Sequence, residues 1–269
     1  MKRSNGFTLI EVLVVVAIIA LLISILLPSL AAARAQSRTT LCLANLHQAG
    51  IAINTYSVEN KGYVPRGGNV DNYFSKTSPE VHWTAVVLRQ LGSNMSGIVA
   101  AANRDGKLLS QLLWEAMKKQ PVFHCPERAS EASADEAVSY CVNAFGKKLG
   151  DPEVRKPTQL SDWKHPGKVI YLTEIERSTR SSTILTAFKE KDLSYFDVYE
   201  ADHLPSAPTG QRRVARAMHQ KRNTDALFAD GHCEPVHSMP RAGEAEFDVN
   251  GDYARRWLRA FGVEVPAKP

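Results

Sequence analysis

Phe7 to Leu27 reads FTLIEVLVVVAIIALLISILL, about 21 residues in which Glu11 is the only charge. That length spans the hydrocarbon core of a bilayer as an α-helix. The thirteen Val, Leu and Ile between Val12 and Leu27, at about −0.4 kcal/mol each, sum to on the order of −5 kcal/mol for insertion, which outweighs the carboxylate. Lys2 and Arg3 precede the run and a long polar chain follows it. The positive-inside tendency therefore keeps residues 1–6 in the cytoplasm and carries the rest across. Two plainer readings compete. A secretory signal peptide would use Ala33-Arg34-Ala35 as its cleavage site, but the run exceeds the usual apolar region and holds a carboxylate at its start and Pro28 at its end. A simple anchor helix explains the length but gives Gly6, Phe7 and Glu11 no purpose.

The remaining chain is ordinary globular material. Of 269 residues, 44% are hydrophobic and 23% charged, with 16 Gly and 14 Pro, a composition that buries a core and excludes collagenous, disordered and polytopic membrane chains. Lys and Arg number 33 against 28 Asp and Glu, giving a net charge of +5 spread without a long cationic block, so no nucleic-acid partner is expected.

No break interrupts the helix beyond Pro28 until Glu59-Asn60-Lys61-Gly62. Cys42, Leu46, Ala49, Ile53 and Tyr56 recur at spacings of four and three, a packing face, while Arg34, Arg38, Asn45 and Asn54 stay wet. A helix from Thr8 to Asn60 would be about 80 Å long, bent at Pro28, with half in lipid and half laid on a head. Trp83 to Leu91 and Leu108 to Lys119 read as shorter helices, and Pro121 to Pro126 as an extended segment entering a turn. Val169–Thr173, Thr183–Phe188 and Asp225–Ala229 read as strands of an antiparallel sheet. Asp230-Gly231 reads as a two-residue type I′ hairpin. The fold class is α+β.

Gly6-Phe7-Thr8-Leu9-Ile10-Glu11 after a short basic leader, with an apolar run ending near Pro28, resembles the cleavage and methylation motif of type IV prepilins and type II secretion pseudopilins. The resemblance implies that a prepilin peptidase cuts after Gly6, that Phe7 becomes an N-methylated terminus, and that Glu11 is the fifth mature residue. It divides the chain into a leader (1–6), a transmembrane and amphipathic helix (7–60) and a pilin-like globular head (61–269). An intramembrane carboxylate is costly unless paired, and Glu11 could neutralise the Phe7 amine of a neighbouring subunit. Cys42-Leu43-Ala44-Asn45-Leu46, Phe123-His124-Cys125-Pro126 and the stretch His219 to Gly231 resemble motifs of a pilin-like group defined by a His, nine residues and Asp-Gly; here ten residues separate His219 from Asp230.

Four cysteines, 42, 125, 141 and 233, permit three full pairings in an oxidising compartment. The group motifs favour Cys42 with Cys125, against a free-thiol alternative. His219, Asp230, His232, Cys233 and His237 have zinc-ligand chemistry, but adjacent strand residues such as His232 and Cys233 face opposite ways. Asp248, Asn250 and Asp252 have the oxygen spacing of a calcium loop; Tyr253 and Arg259 stand where an EF-hand needs Gly and an acid, although some pseudopilins order a C-terminal loop with calcium. No other cofactor is expected. Glu174 and Glu176 are a candidate acid pair with a surface reading beside it. Arg212, Arg213, Arg216, Lys221 and Arg222 form a basic patch, read as a solvated face. Nucleophile, metalloprotease and phosphate-loop motifs are absent, so an enzyme is not expected.

The resemblance implies a structural subunit of a type II secretion or type IV pilus-like assembly. Its partners would be the prepilin peptidase, other pilin or pseudopilin subunits, the inner-membrane secretion platform and membrane lipid. It would cross a bacterial inner membrane once, with its head in the periplasm. The alternatives are a membrane-tethered envelope protein binding a polysaccharide or protein ligand, and a secreted metal-dependent enzyme using the histidine cluster.

Overall fold

The computed structural model describes residues 8–65, 82–106, 109–128, 138–146, 158–176, 197–198, 203–207, 212–220, 222–244 and 251–266. Helix α1 (Leu9–Glu59) runs unbroken through Pro28. Its first half and its second half meet different surroundings. From Leu9 to Leu30 the aliphatic side chains are exposed; from Thr39 onward one face is buried, comprising Thr39, Cys42, Leu46, Ala49, Gly50, Ala52, Ile53, Tyr56 and Ser57. The face expected from the spacing is the one that packs. Asn45, expected in solvent, is half-buried and donates through Nδ2 to the carbonyls of Pro121 (3.1 Å) and His124 (2.8 Å). Arg38 pairs with Glu127.

Strand β1 (Tyr63–Val64) pairs antiparallel with β3 (Thr158–Gln159). Three helices follow β1: α2 (Trp83–Gln90), α3 (Met95–Asp105) and α4 (Leu109–Lys118). The main sheet is built from β2 (Tyr140–Asn143), β4 (Ile170–Glu174), β5 (Asp197–Val198), β6 (Asn223–Phe228) and β7 (Cys233–His237), in the order β5-β2-β4-β6-β7. It is antiparallel except for the β2–β5 pair, which is parallel. Helix α5 (Asp252–Ala260) is followed by a short described tail, 261–266. Pro121–Phe123 forms a 3-10 turn where an extended segment is expected, because Phe123 N–H and His124 N–H bond back to the Gln120 and Pro121 carbonyls. Thr183–Phe188 lies outside the described residues.

The core fills the space between the buried face of α1, the sheet and the short helices. Trp83 lies 5.7 Å from Phe123, centroid to centroid, and Leu46, Leu88, Leu113 and Trp114 are fully buried beside them in the same cluster. At the other end Asn143 donates through Nδ2 to the carbonyls of Ile170 (2.8 Å) and Phe261 (2.9 Å), tying the residue after α5 to the sheet. Where α1 crosses β6 the backbones approach closely: a Cβ on Gly50 would come within 2.7 Å of Leu227 Cδ1.

The β6–β7 turn differs from the expected type I′. Phe228 N–H bonds to the His232 carbonyl and Gly231 N–H to the Phe228 carbonyl, so three residues, Ala229 to Gly231, form the loop. Only Gly231 takes a positive φ, +95°; this is a type I turn followed by a left-handed residue. A Cβ there would meet Asn54 Nδ2 at 2.5 Å. The tip of the half-buried Asn54 side chain must turn away to admit it, so Gly231→Ala should lose at least the ~1–2 kcal/mol that a left-handed backbone alone costs an L-residue. Gly62→Ala, also left-handed (φ +83°) but with nothing within 4 Å of its Cβ, should cost only that amount. Denaturant unfolding of the two full-length variants in detergent measures the difference.

His82 caps α2, accepting the Thr84 N–H at Nδ1 (3.3 Å), and its complete burial pushes its pKa down to about 3. His203 is held at about 3 by burial and by the Arg213 charge. Folded-state values below the unfolded one give stability that is present above about pH 6.5 and is lost as pH falls toward 3. On the order of 3 kcal/mol per histidine is expected to disappear by pH 4. His82→Asn, which preserves a capping acceptor, should flatten part of that acid limb in unfolding curves taken between pH 7 and 4.

Candidate functional site

Two of the places among the described residues where polar groups sit among apolar ones carry the candidate chemistry. The first is the start of α1. Thr8 is the N-cap and accepts the Glu11 N–H at Oγ1 (3.3 Å), while Glu11 Oε2 accepts from Thr8 N–H (2.8 Å) and from the Thr8 hydroxyl (2.7 Å). This is a capping box, legible as Thr-x-x-Glu and absent from the reading above. Glu11 therefore has a local role before any neighbour arrives: it closes the helix end and complements the positive end of the helix dipole. The aliphatic residues that follow present their side chains outward. Among the described residues, α1 is the one helix long and apolar enough to cross a membrane. Gly6 and Phe7 lie outside the described residues.

The second place is buried where α1, β4 and β6 meet. Glu174, the last residue of β4, is wholly buried. Its Oε2 accepts from Asp225 N–H (2.8 Å) and the Thr224 hydroxyl (3.1 Å). Its Oε1 lies 3.0 Å from Cys42 Sγ, whose thiol donates, and 2.8 Å from His219 Nε2. Cys125 Sγ is 3.5 Å from the same Nε2, Tyr140 Oη is 3.2 Å from Cys42 Sγ, and Thr39 Oγ1 is 3.2 Å from His219 Nδ1. Asp225 is also wholly buried; its Oδ2 is 3.2 Å from His219 Nε2, and neither carboxylate oxygen has a well-aligned hydrogen bond.

These groups set one another's protonation. Burial drives His219 down, but its bonds to Cys125 and Glu174 and the Glu174 and Asp225 charges outweigh that and hold it at about 10. Burial drives Glu174 up, and the His219 bond and charge bring it below the usual range. Burial and the Glu174 charge raise Asp225 to about 7. Burial above all lifts the Cys42 thiol and the Tyr140 phenol well above their ordinary values.

The structure thus sorts the candidates of the sequence. Cys42 and Cys125, the pair expected to form a disulfide, come together with their sulfurs within 4.8 Å. Of the five candidates around the hairpin, only His219 enters the knot. Asp230 and His232 pair with each other at 2.6 Å on the surface, where the imidazole stacks on Phe228; Cys233 is half-buried and His237 exposed. Glu174 and Glu176 do not form a surface pair: both are buried, and Glu176 pairs with Arg212. Arg212 and Arg213 are buried too, so they do not belong to a solvated basic face, and Lys221 lies outside the described residues. So do Asp248 and Asn250, while Asp252 opens α5.

The chain matches two family models. Residues 1–27 match a prokaryotic N-terminal methylation motif. Residues 31–185, more than half of the chain, match a family described as "Protein of unknown function (DUF1559)". The chain belongs to the DUF1559 family. This DUF1559 protein is 37% identical over 79 residues to the type IV wide pilus major component PilA4 of Thermus thermophilus, a match covering 29% of the chain and 60% of that relative's length. No solved structure matches. An N-terminal methylation motif thus opens a pilin-like α+β architecture, in which a long N-terminal helix, apolar in its first half, joins a head built on a mostly antiparallel sheet.

Replacing Glu174 with Leu should be far more costly than a surface change. It strands the Asp225 amide without its acceptor, leaves the Thr224 hydroxyl only its longer contact with Thr173 and leaves the His219 cation only Asp225, for a loss of about 3–5 kcal/mol. Chemical denaturation of Glu174→Leu against the unaltered full-length protein reads that difference directly.

Proposed function

We propose that this DUF1559 protein is a structural subunit of a type IV pilus-like or type II secretion assembly. In this reading a prepilin peptidase removes residues 1–6 and the Phe7 amine is methylated. The mature chain then waits in the bacterial inner membrane, crossing it once, with its head in the periplasm, until the helix packs into a filament. The observation that carries the reading is the exposed aliphatic half of α1, Leu9 to Leu30, continuous with a methylation motif at one end and with the head core at the other. So much exposed apolar surface needs lipid or other helices around it. The partial match to a pilus major component supports the same choice. Pro28 removes a backbone bond inside the packed rod, a place for the helix to adjust during assembly. The head is read as non-enzymatic, its acids, thiols and imidazole turned toward one another in the interior.

Mass spectrometry of the mature chain should find N-methylated Phe7 at the terminus; a start near Gln36 would mean that signal peptidase removes the span and that no filament helix remains. Two variants then divide the roles of Glu11. Glu11→Gln keeps the capping box and removes the charge, whereas Glu11→Leu removes both. If the carboxylate pairs with a neighbour's amine, both variants insert normally and both lose assembly in a crosslinking assay between subunits. Assembly by Glu11→Gln at the unaltered level would leave Glu11 as a cap alone.

A further inference from the structure

We propose that Cys42, Cys125, Glu174 and His219 bind one zinc ion, which staples the assembly helix to the head. One ligand atom from each residue lies within 4.8 Å of the others, and all four residues are buried. They come from α1, from the segment after the 3-10 turn, from the end of β4 and from the bridge before β6, so no short spacing in the sequence announces them. Two sulfurs, one imidazole nitrogen and one carboxylate oxygen are a donor set that suits zinc, and four protein ligands with no opening to water make a closed, structural site. Tetrahedral bonds of about 2.0–2.3 Å separate ligand atoms by about 3.3–3.8 Å. Cys125 Sγ and His219 Nε2 already stand 3.5 Å apart, while the Cys42–Glu174 and His219–Glu174 contacts of 3.0 and 2.8 Å need to open by less than an ångström.

The surroundings are those of a metal site. The Thr39 hydroxyl donates to the Ala35 carbonyl (3.2 Å) and so accepts from His219 Nδ1–H, leaving Nε2 to face the sulfurs. Glu174 Oε2 is occupied by Asp225 N–H and the Thr224 hydroxyl, leaving Oε1 directed inward. Tyr140 Oη stands beside Cys42 Sγ. Asp225, a fully buried carboxylate 3.2 Å from the same imidazole nitrogen, is placed to take up the proton that the imidazolium gives up, because two thiolates and Glu174 already outweigh the dication and a further buried anion would be uncompensated. Binding displaces three protons, one from each thiol and one from the imidazolium Nε2, and changes no oxidation state. The oxidised alternative, a Cys42–Cys125 disulfide, removes both sulfur ligands and leaves the two buried acids with a single cation.

Zinc binding does not require filament assembly, since all four ligands lie within one chain. Full-length protein extracted from membranes without chelator should carry one zinc per chain by elemental analysis. Cobalt added to reduced, metal-free protein should give the absorption of a tetrahedral thiolate site. Thr39→Val, nearly isosteric, should weaken zinc binding ~10–100-fold through the loss of the outer hydrogen bond. Cys125→Ser should abolish stoichiometric zinc, and Cys233→Ser, outside the cluster, should leave it intact. Should Cys125→Ser fail to fold, the cobalt spectrum of the unaltered chain still decides. A Cys42–Cys125 disulfide in the extracted protein, or reduced protein that takes up neither zinc nor cobalt, would overturn the proposal.

Discussion

A carboxylate sealed from water, that of Glu174, is the constraint around which the head is arranged. An acid in that position survives only if each oxygen is met by donors, and those donors come from everywhere in the chain: a backbone amide and a hydroxyl from β6, a thiol from α1, an imidazole from the segment before β6. Satisfying one group thus fixes the register of β6 beside β4 and the rotation of α1 above them. The apolar core around it, from Leu46 to Phe123 and Trp114, contributes area without specifying orientation in the same way.

The long helix reconciles two solvents. Up to Leu30 its side chains face outward and are aliphatic on all sides; beyond Thr39 one face turns to the core and the rest to water. The change of regime needs no break in the backbone, and Pro28 sits inside the continuous helix near the boundary. The capping box at Thr8 and Glu11 finishes the apolar end, so the first exposed amides of the rod have partners before any other molecule contributes.

What the sequence disclosed and what it hid follow from the range of each interaction. Hydrophobic period is local, so α1, its buried face from Cys42 to Tyr56, α2 and α4 were all legible, as were β4 and β6 as apolar runs. Strand β2 was missed because Tyr-Cys-Val-Asn is too short to display alternation, and its parallel pairing with β5 depends on a crossover that no local pattern encodes. At the hairpin, Asp230-Gly231 signalled a turn but not its length, since the left-handed position falls on Gly231 alone. The polar knot was the least legible. His219 was picked for its neighbours in sequence, Asp230 and His232, yet its real companions lie 45, 94 and 177 positions away, at Glu174, Cys125 and Cys42. Glu174 read as half of a candidate acid pair with a surface reading beside it, because nothing adjacent to it reveals that β4 is buried along both faces.

The seam between α1 and the head has a direction. Its buried residues run from Thr39 to Ser57, and the knot lies at the end facing the apolar span, with the glycine crossing at Gly50 farther along. A tug transmitted down the span therefore reaches Thr39 and Cys42 first, where polar bonds resist peeling, and only afterwards the smoother contact of Gly50 with Leu227. Rupture must begin at the strongest rivet, so the joint resists mechanical load as a unit instead of yielding turn by turn.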